Sequence, residues 1–230
     1  MKTAFLFVFF ACFFSLSGTG QTAEELFESG LSKLKQKDQN GAISDFNEVI
    51  ELDPLNAEAY FQRGCAKYDL QNYKRALSDF SKAIELNSNH ANAYCNRGLS
   101  KFNLLDCKGA ITDYNKAIEL SPQDADFHFH RGCAKICLQD FAGSVSDFDK
   151  AIELSPQDAD AHYNRGNSKF YLQDYVGAIS DYNKVIELKP LDYEAYLSRG
   201  RAKYQLQDYD GALSDYNKVI ELTQSVEPQK

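Results

Sequence analysis

The sequence predicts an all-α protein built as a solenoid of six helix-turn-helix repeats, and three observations carry that prediction. A glycine recurs at Gly30, Gly64, Gly98, Gly132, Gly166 and Gly200 at intervals of 34 residues, with no insertion between copies, and a fixed period of that length marks stacked repeats. Each period holds two apolar series. In the second copy they are Tyr60, Phe61, Gly64, Ala66, Tyr68, Leu70 and then Tyr73, Ala76, Leu77, Phe80, Ala83, Ile84, Leu86, with the i, i+3, i+4 and i+7 steps of amphipathic helices. Between the series every copy has an Asp or Asn: Asp38, Asn72, Asp106, Asp140, Asp174 and Asp208. These are the residue types whose side chains accept from the free amides of a following helical turn, so they cap the second helix, helix B.

Numbered from Ala23, the copies occupy 23–56, 57–90, 91–124, 125–158, 159–192 and 193–222, with a tail over 223–230. Pro54, Pro122, Pro156 and Pro190 at unit position 32 cannot continue helix B. Glycine at position 8 lies inside helix A, where it costs about 1 kcal/mol relative to alanine. The offsetting gain expected is close approach, with glycine facing the alanine at position 20 (Ala42, Ala76, Ala110, Ala178, Ala212).

Position 7 is Arg63, Arg97, Arg131, Arg165 and Arg199 in copies two to six and Ser29 in copy one, while position 23 is Asp45, Asp79, Asp113, Asp147, Asp181 and Asp215. Each Arg is expected to pair with the Asp of the preceding copy, which copy one lacks. Pairing within each copy is the alternative. Either way a partly buried Arg-Asp pair fixes repeat register rather than supplying large net stability.

Position 4 is aromatic at Tyr60, Tyr94 and Tyr196, and position 24 is aromatic throughout, as Phe46, Phe80, Tyr114, Phe148, Tyr182 and Tyr216. With glycine at 8, alanine at 20 and proline at 32, the unit resembles the tetratricopeptide repeat. That resemblance implies a right-handed α-solenoid serving as a non-enzymatic scaffold for a protein or peptide ligand. It also implies that helix A lines the concave face, with positions 2, 5, 6, 9, 12 and 13 turned toward it.

The candidate contact set on that face is Phe61, Gln62, Asn96, Phe129, His130, Tyr163, Asn164, Asn167 and Tyr171. Side-chain amides at position 6 can hydrogen-bond a peptide backbone without demanding a sequence, and Asn96 and Asn164 form a partial ladder of them. Position 12 (Leu34, Tyr68, Phe102, Ile136, Phe170, Tyr204) is assigned mainly to the core. Family members that clamp a peptide C-terminus use basic residues at positions 5, 2 and 6. Position 5 is never basic here and position 6 is never Lys or Arg, which disfavours a chaperone-tail receptor.

The chain opens with Lys2, the apolar run Ala4 to Phe14, then Ser15, Ser17, Gly18 and Gly20. This is the pattern of a secretory signal peptide over 1–20 and predicts a secreted or periplasmic protein. The run is shorter than the roughly 20 residues a spanning helix needs. Lipid anchoring at Cys12 is the alternative. Without Lys2 the chain has 24 basic and 33 acidic residues, a balance that disfavours nucleic acid and anionic membrane surfaces. Cys65, Cys95, Cys107, Cys133 and Cys137 remain after cleavage. Their odd number leaves at least one thiol free or paired between chains, so a disulfide framework is not the basis of stability.

No nucleophile, acid-base pair or phosphate loop stands at a special spacing, so neither catalysis nor a cofactor is expected. One cluster breaks the period: His128, His130, Cys133 and Cys137. Of these His130, Cys133 and Cys137 share a helical stripe, a weak zinc or copper candidate without a fourth ligand. Copy one is the most polar and suits an N-terminal cap. In copy six Leu213, Val219 and Ile220 have no following helix to cover them, which allows weak homo-oligomerisation through that repeat.

Overall fold

The computed structural model describes residues 21–224; the expected leader and Cys12 lie outside them. Twelve α-helices follow in order: α1 Ala23–Lys35, α2 Gln39–Leu52, α3 Ala57–Asp69, α4 Tyr73–Leu86, α5 Ala91–Asn103, α6 Cys107–Leu120, α7 Ala125–Cys137, α8 Phe141–Leu154, α9 Ala159–Tyr171, α10 Tyr175–Leu188, α11 Tyr193–Gln205 and α12 Tyr209–Gln224. Among the described residues there is no strand. Each helix packs on its neighbours in sequence, and each odd-numbered helix also touches the next odd-numbered one. The core is therefore a line of small clusters running along the stack, as expected for a repeat array.

The helix ends follow from local chemistry. Asp38, Asp106, Asp140, Asp174 and Asp208 each accept from the backbone amide of the glycine three residues on. A Cβ at any of those glycines would collide with the capping carboxylate. Copy two has Arg75 in place of that glycine, and there the expected cap fails: Asn72 makes no side-chain cap bond. Helix A is capped as well, by Thr22, Asn56, His90, Asp124, Asp158 and Asp192, each side chain accepting a first-turn amide.

The turn from helix A to helix B places a non-glycine residue in the left-handed region in every copy: Lys37, Gln71, Leu105, Gln139, Gln173 and Gln207, with φ between 59° and 65°. In copy five the Gln173 amide donates to the Phe170 carbonyl and the Asp174 amide to the Lys169 carbonyl. That pairing satisfies the free carbonyls of the helix end while the chain reverses.

The glycine of helix A meets the aromatic ring of position 24, not the alanine of position 20. A Cβ at Gly132 would lie 2.8 Å from Phe148 Cε1, and the same contact recurs at all six copies. The rings of Phe46, Phe80, Tyr114, Phe148 and Tyr182 are at most 1% exposed. Burying such a ring stabilises by roughly 1.5–3 kcal/mol, more than the propensity cost of the glycine that admits it. Tyr216, in α12, the last helix described, is half-buried. Alanine at 20 instead faces the next copy: Ala178 clusters with Ala202. Ser144 replaces alanine there in copy four and hydrogen-bonds Ser168 of copy five at 2.8 Å.

The arginine row also differs from its first expectation, because each Arg pairs within its own copy. Arg97 Nε and Nη2 donate to the two carboxylate oxygens of Asp113 at 2.9 and 2.6 Å. The remaining arm crosses to position 25 of the preceding copy, as Arg63 to Asn47 at 2.7 Å and Arg165 to Asp149 at 2.6 Å. A lysine at position 11 completes each site, from Lys33 on Asp45 at 2.6 Å to Lys203 on Asp215 at 2.9 Å. Where Ser29 replaces Arg, Asp45 keeps one buried oxygen without a hydrogen bond.

Candidate peptide-binding groove

A convergence of aromatic and amide side chains lies where α9 faces α11. Tyr163, Asn164, Asn167, Phe170 and Tyr171 of α9 meet Ile136 of α7, Tyr182 of α10 and Ser198 and Arg201 of α11 around a pocket of about 350 Å³. Four of the nine candidate residues, Tyr163, Asn164, Asn167 and Tyr171, are thus brought together. The helical period explains this, since residues three, four and seven apart share one face.

The pocket walls are held in defined orientations. Tyr163 packs against Tyr182 at 5.8 Å between ring centres, and its hydroxyl lies 3.2 Å from Ser198 Oγ. The Tyr182 hydroxyl donates to Asn167 Oδ1 at 2.8 Å, which occupies the amide oxygen and leaves the amide nitrogen of Asn167 as its donor. Burial pushes the Tyr182 phenol upward, so it stays a protonated donor at neutral pH. Asn164 Nδ2 donates to the Asp160 carbonyl at 2.8 Å, leaving its oxygen as an acceptor. Tyr171 stacks on Phe141 at 4.6 Å and remains 64% exposed.

The other candidates are placed apart from this pocket. Phe61 is buried against Phe80 and His90 and belongs to the core, because position 5 in this copy turns between helices rather than onto the surface. Gln62 donates to Glu58 at 2.7 Å, and Asn96 donates to the Cys65 sulfur at 3.4 Å. Phe129 packs on Phe148, and His130 lies half-buried over Tyr114.

His130, Cys133 and Cys137 do not form a ligand set. Cys137 is joined to Cys107 in a disulfide between copies three and four, which uses its sulfur. No group of three or more metal-ligating side chains converges among the described residues. His128, from the same stretch, is buried with its Nε2 3.1 Å from the Pro122 carbonyl, a structural position. Cys65, Cys95 and Cys133 are free, and burial pushes each thiol up to about 12, where thiolate chemistry is suppressed.

Ile136, Phe170, Tyr182, Ser198 and Arg201 also line the pocket, although the sequence pattern does not single them out as contacts. Ile136 and Phe170 occupy position 12, assigned mainly to core, and keep one face on the pocket. For Arg201 a signal exists: position 9 reads Leu31, Cys65, Leu99, Cys133, Asn167, Arg201 across the copies, so its charge is the departure from that row.

Models of the tetratricopeptide repeat match residues 57–90, 159–191 and 193–225, and a TPR repeat model matches 106–135, together more than half the chain. The chain belongs to the tetratricopeptide repeat family. No curated protein matches it. Among solved structures it is similar to YrrB, described as a TPR protein with an unusual peptide-binding site: 23% identity, TM-score 0.70, covering 79% of this chain and 93% of that one. A tetratricopeptide repeat protein from Parabacteroides merdae is similar at 22% identity and TM-score 0.75, covering 91% and 82%. Pseudomonas aeruginosa pilF is similar at 18% identity and TM-score 0.75, covering 87% and 91%. Identities at this level show the fold. No helix among the described residues is long and apolar enough to cross a membrane.

Proposed function

We propose that this protein is an exported, non-enzymatic TPR scaffold that binds a peptide or protein segment in its concave groove. The observation that carries the reading is the pocket between α9 and α11. Its aromatic walls, fixed amide groups and volume of about 350 Å³ suit part of an extended peptide rather than a reaction centre. The peptide-binding neighbour YrrB supports the same reading. Export rests on the pattern of Met1 to Gly20, and the Cys107–Cys137 disulfide fits an oxidising compartment. The test is capture of short random peptides by the wild-type chain and by the Asn164→Ala/Tyr171→Ala variant. Loss of binders in the variant supports the groove; equal capture by both sinks it.

A second reading has its own observation: Leu213 and Ile220 of α12 are 58% and 51% exposed. They favour an adaptor that self-associates through its last repeat, with a lipid anchor at Cys12 as a further variant. Light scattering of wild type and Leu213→Glu at high concentration decides it, since a monomer in both cases removes self-association.

A further inference from the structure

Arg63, Arg97, Arg131, Arg165 and Arg199 are each held against a buried aspartate. Arg201 is not. Two residues beyond Arg199, it is turned about 200° around α11, leaves the aspartate row and reaches the concave pocket. No carboxylate pairs with it among the described residues, and it is exposed. The other side chains lining the pocket are uncharged. The nearby Asp160 of α9 is itself paired with Lys189 at 2.6 Å.

The polar groups of the pocket are unequally committed. Asn167 Oδ1 is occupied by the Tyr182 hydroxyl, so what the residue offers a ligand is its N–H pair. Arg201 offers only donors, in a planar fork that matches a carboxylate. A ligand beside Asn167 and Arg201 must therefore bring acceptors, of which a charged one gains most, while the free Asn164 oxygen can take a donor such as a peptide N–H. The acidic balance of the chain, net −8, opposes long-range attraction of an anion. Salt screens such charges beyond roughly 8 Å at physiological ionic strength, so local pairing sets selectivity while the on-rate stays modest.

We infer that this pocket takes a peptide carboxylate, seated on Arg201 and the Asn167 amide, with a neighbouring aromatic or apolar residue against Tyr171 and Phe170. The inference rests on the groove reading above and deepens it. The carboxylate is that of an Asp or Glu side chain, because positions 5 and 6, which supply basic residues where family members clamp a peptide C-terminus, carry no Lys or Arg here. The basic residue is a single arginine at unit position 9.

The probes are two arrays of short random peptides, one tethered by the N-terminus and one by the C-terminus, read with wild type, Arg201→Gln, Arg201→Glu and Asn164→Ala/Tyr171→Ala. Arg201 is exposed, so its substitutions leave folding intact, as circular dichroism checks. The expected result is wild-type enrichment of acidic peptides, a loss of at least about tenfold in their affinity in Arg201→Gln, and a shift toward basic peptides in Arg201→Glu. Indifference to tethering supports the side-chain source; dependence on a free C-terminus overturns it. Binders without acidic enrichment that survive Arg201→Gln but vanish in Asn164→Ala/Tyr171→Ala overturn the carboxylate inference and keep the groove. An absence of binders, or binders indifferent to all variants, overturns both.

Discussion

Gly132 and Phe148 stand in a contact that leaves no room for a side chain: a Cβ on the glycine would come within 2.8 Å of the ring. The ring is fully buried, so it cannot swing aside into solvent. Gly132→Leu is expected to break the centre of the array, at a cost of roughly 1–3 kcal/mol or more, the range typical of overpacking. Urea unfolding followed by circular dichroism checks it, and an unchanged midpoint contradicts the packing account.

Ser29 stands where the other copies have arginine, and Asp45 beside it has one buried oxygen unbonded. Because each Arg pairs within its own copy, Ser29→Arg should reach Asp45 and stabilise the first repeat by about 1–2 kcal/mol, near the range for a hydrogen bond to a charged group. Slower amide exchange across α1 and α2 is the readout. No change would mean that the arginine also needs the position 25 partner of a preceding copy, which copy one lacks.

The period, the helix pairs and five of the six helix B caps are legible in the sequence because each rests on local spacing. The partner of the glycine is not. The alanine at unit position 20 and the aromatic at position 24 are one turn apart on the same face of helix B, so spacing alone leaves both open. The left-handed turn residue is hidden for a similar reason: Gln173 and its equivalents carry no glycine to announce a positive φ. In the groove, comparison of copies finds Asn164 and Asn167 but passes over Arg201, because position 9 is dominated by apolar residues and the arginine is its one charged exception. The Cys107–Cys137 pairing depends on which ends of successive copies meet, and cysteine counting carries no such information.

That pairing has an equivalent in the next joint. Position 17 of one copy meets position 13 of the following copy, as Cys107 to Cys137 in one joint and as the stacked Phe141 and Tyr171 in the next. Closing the loop between the cysteines is worth about 2–4 kcal/mol, so reduction should lower the melting temperature of wild type and leave that of Cys107→Ser/Cys137→Ser unchanged. Iodoacetamide on the reduced, folded chain should label the exposed Cys137 first. Cys65, Cys95 and Cys133, their thiols pushed up to about 12 by burial, should resist it. Prompt labelling of Cys95 under native conditions would contradict its burial.

His130 supplies a pH dependence whose sign is fixed by its surroundings. Burial lowers its pKa from the usual 6.5, and Asp126 and Asp124 only partly oppose this. The unfolded chain therefore binds the proton more readily than the folded one. Stability is unaffected above the unfolded value and falls as pH drops below about 6.5, levelling only once the folded-state value is passed. His130→Asn installs the residue already present at Asn96 and Asn164 and removes this titration. The urea midpoint of wild type should fall relative to that of the variant between about pH 7 and pH 5, the interval that brackets the ordinary histidine range. Parallel curves for the two proteins over that interval would show that His130 titrates alike in the folded and unfolded chains.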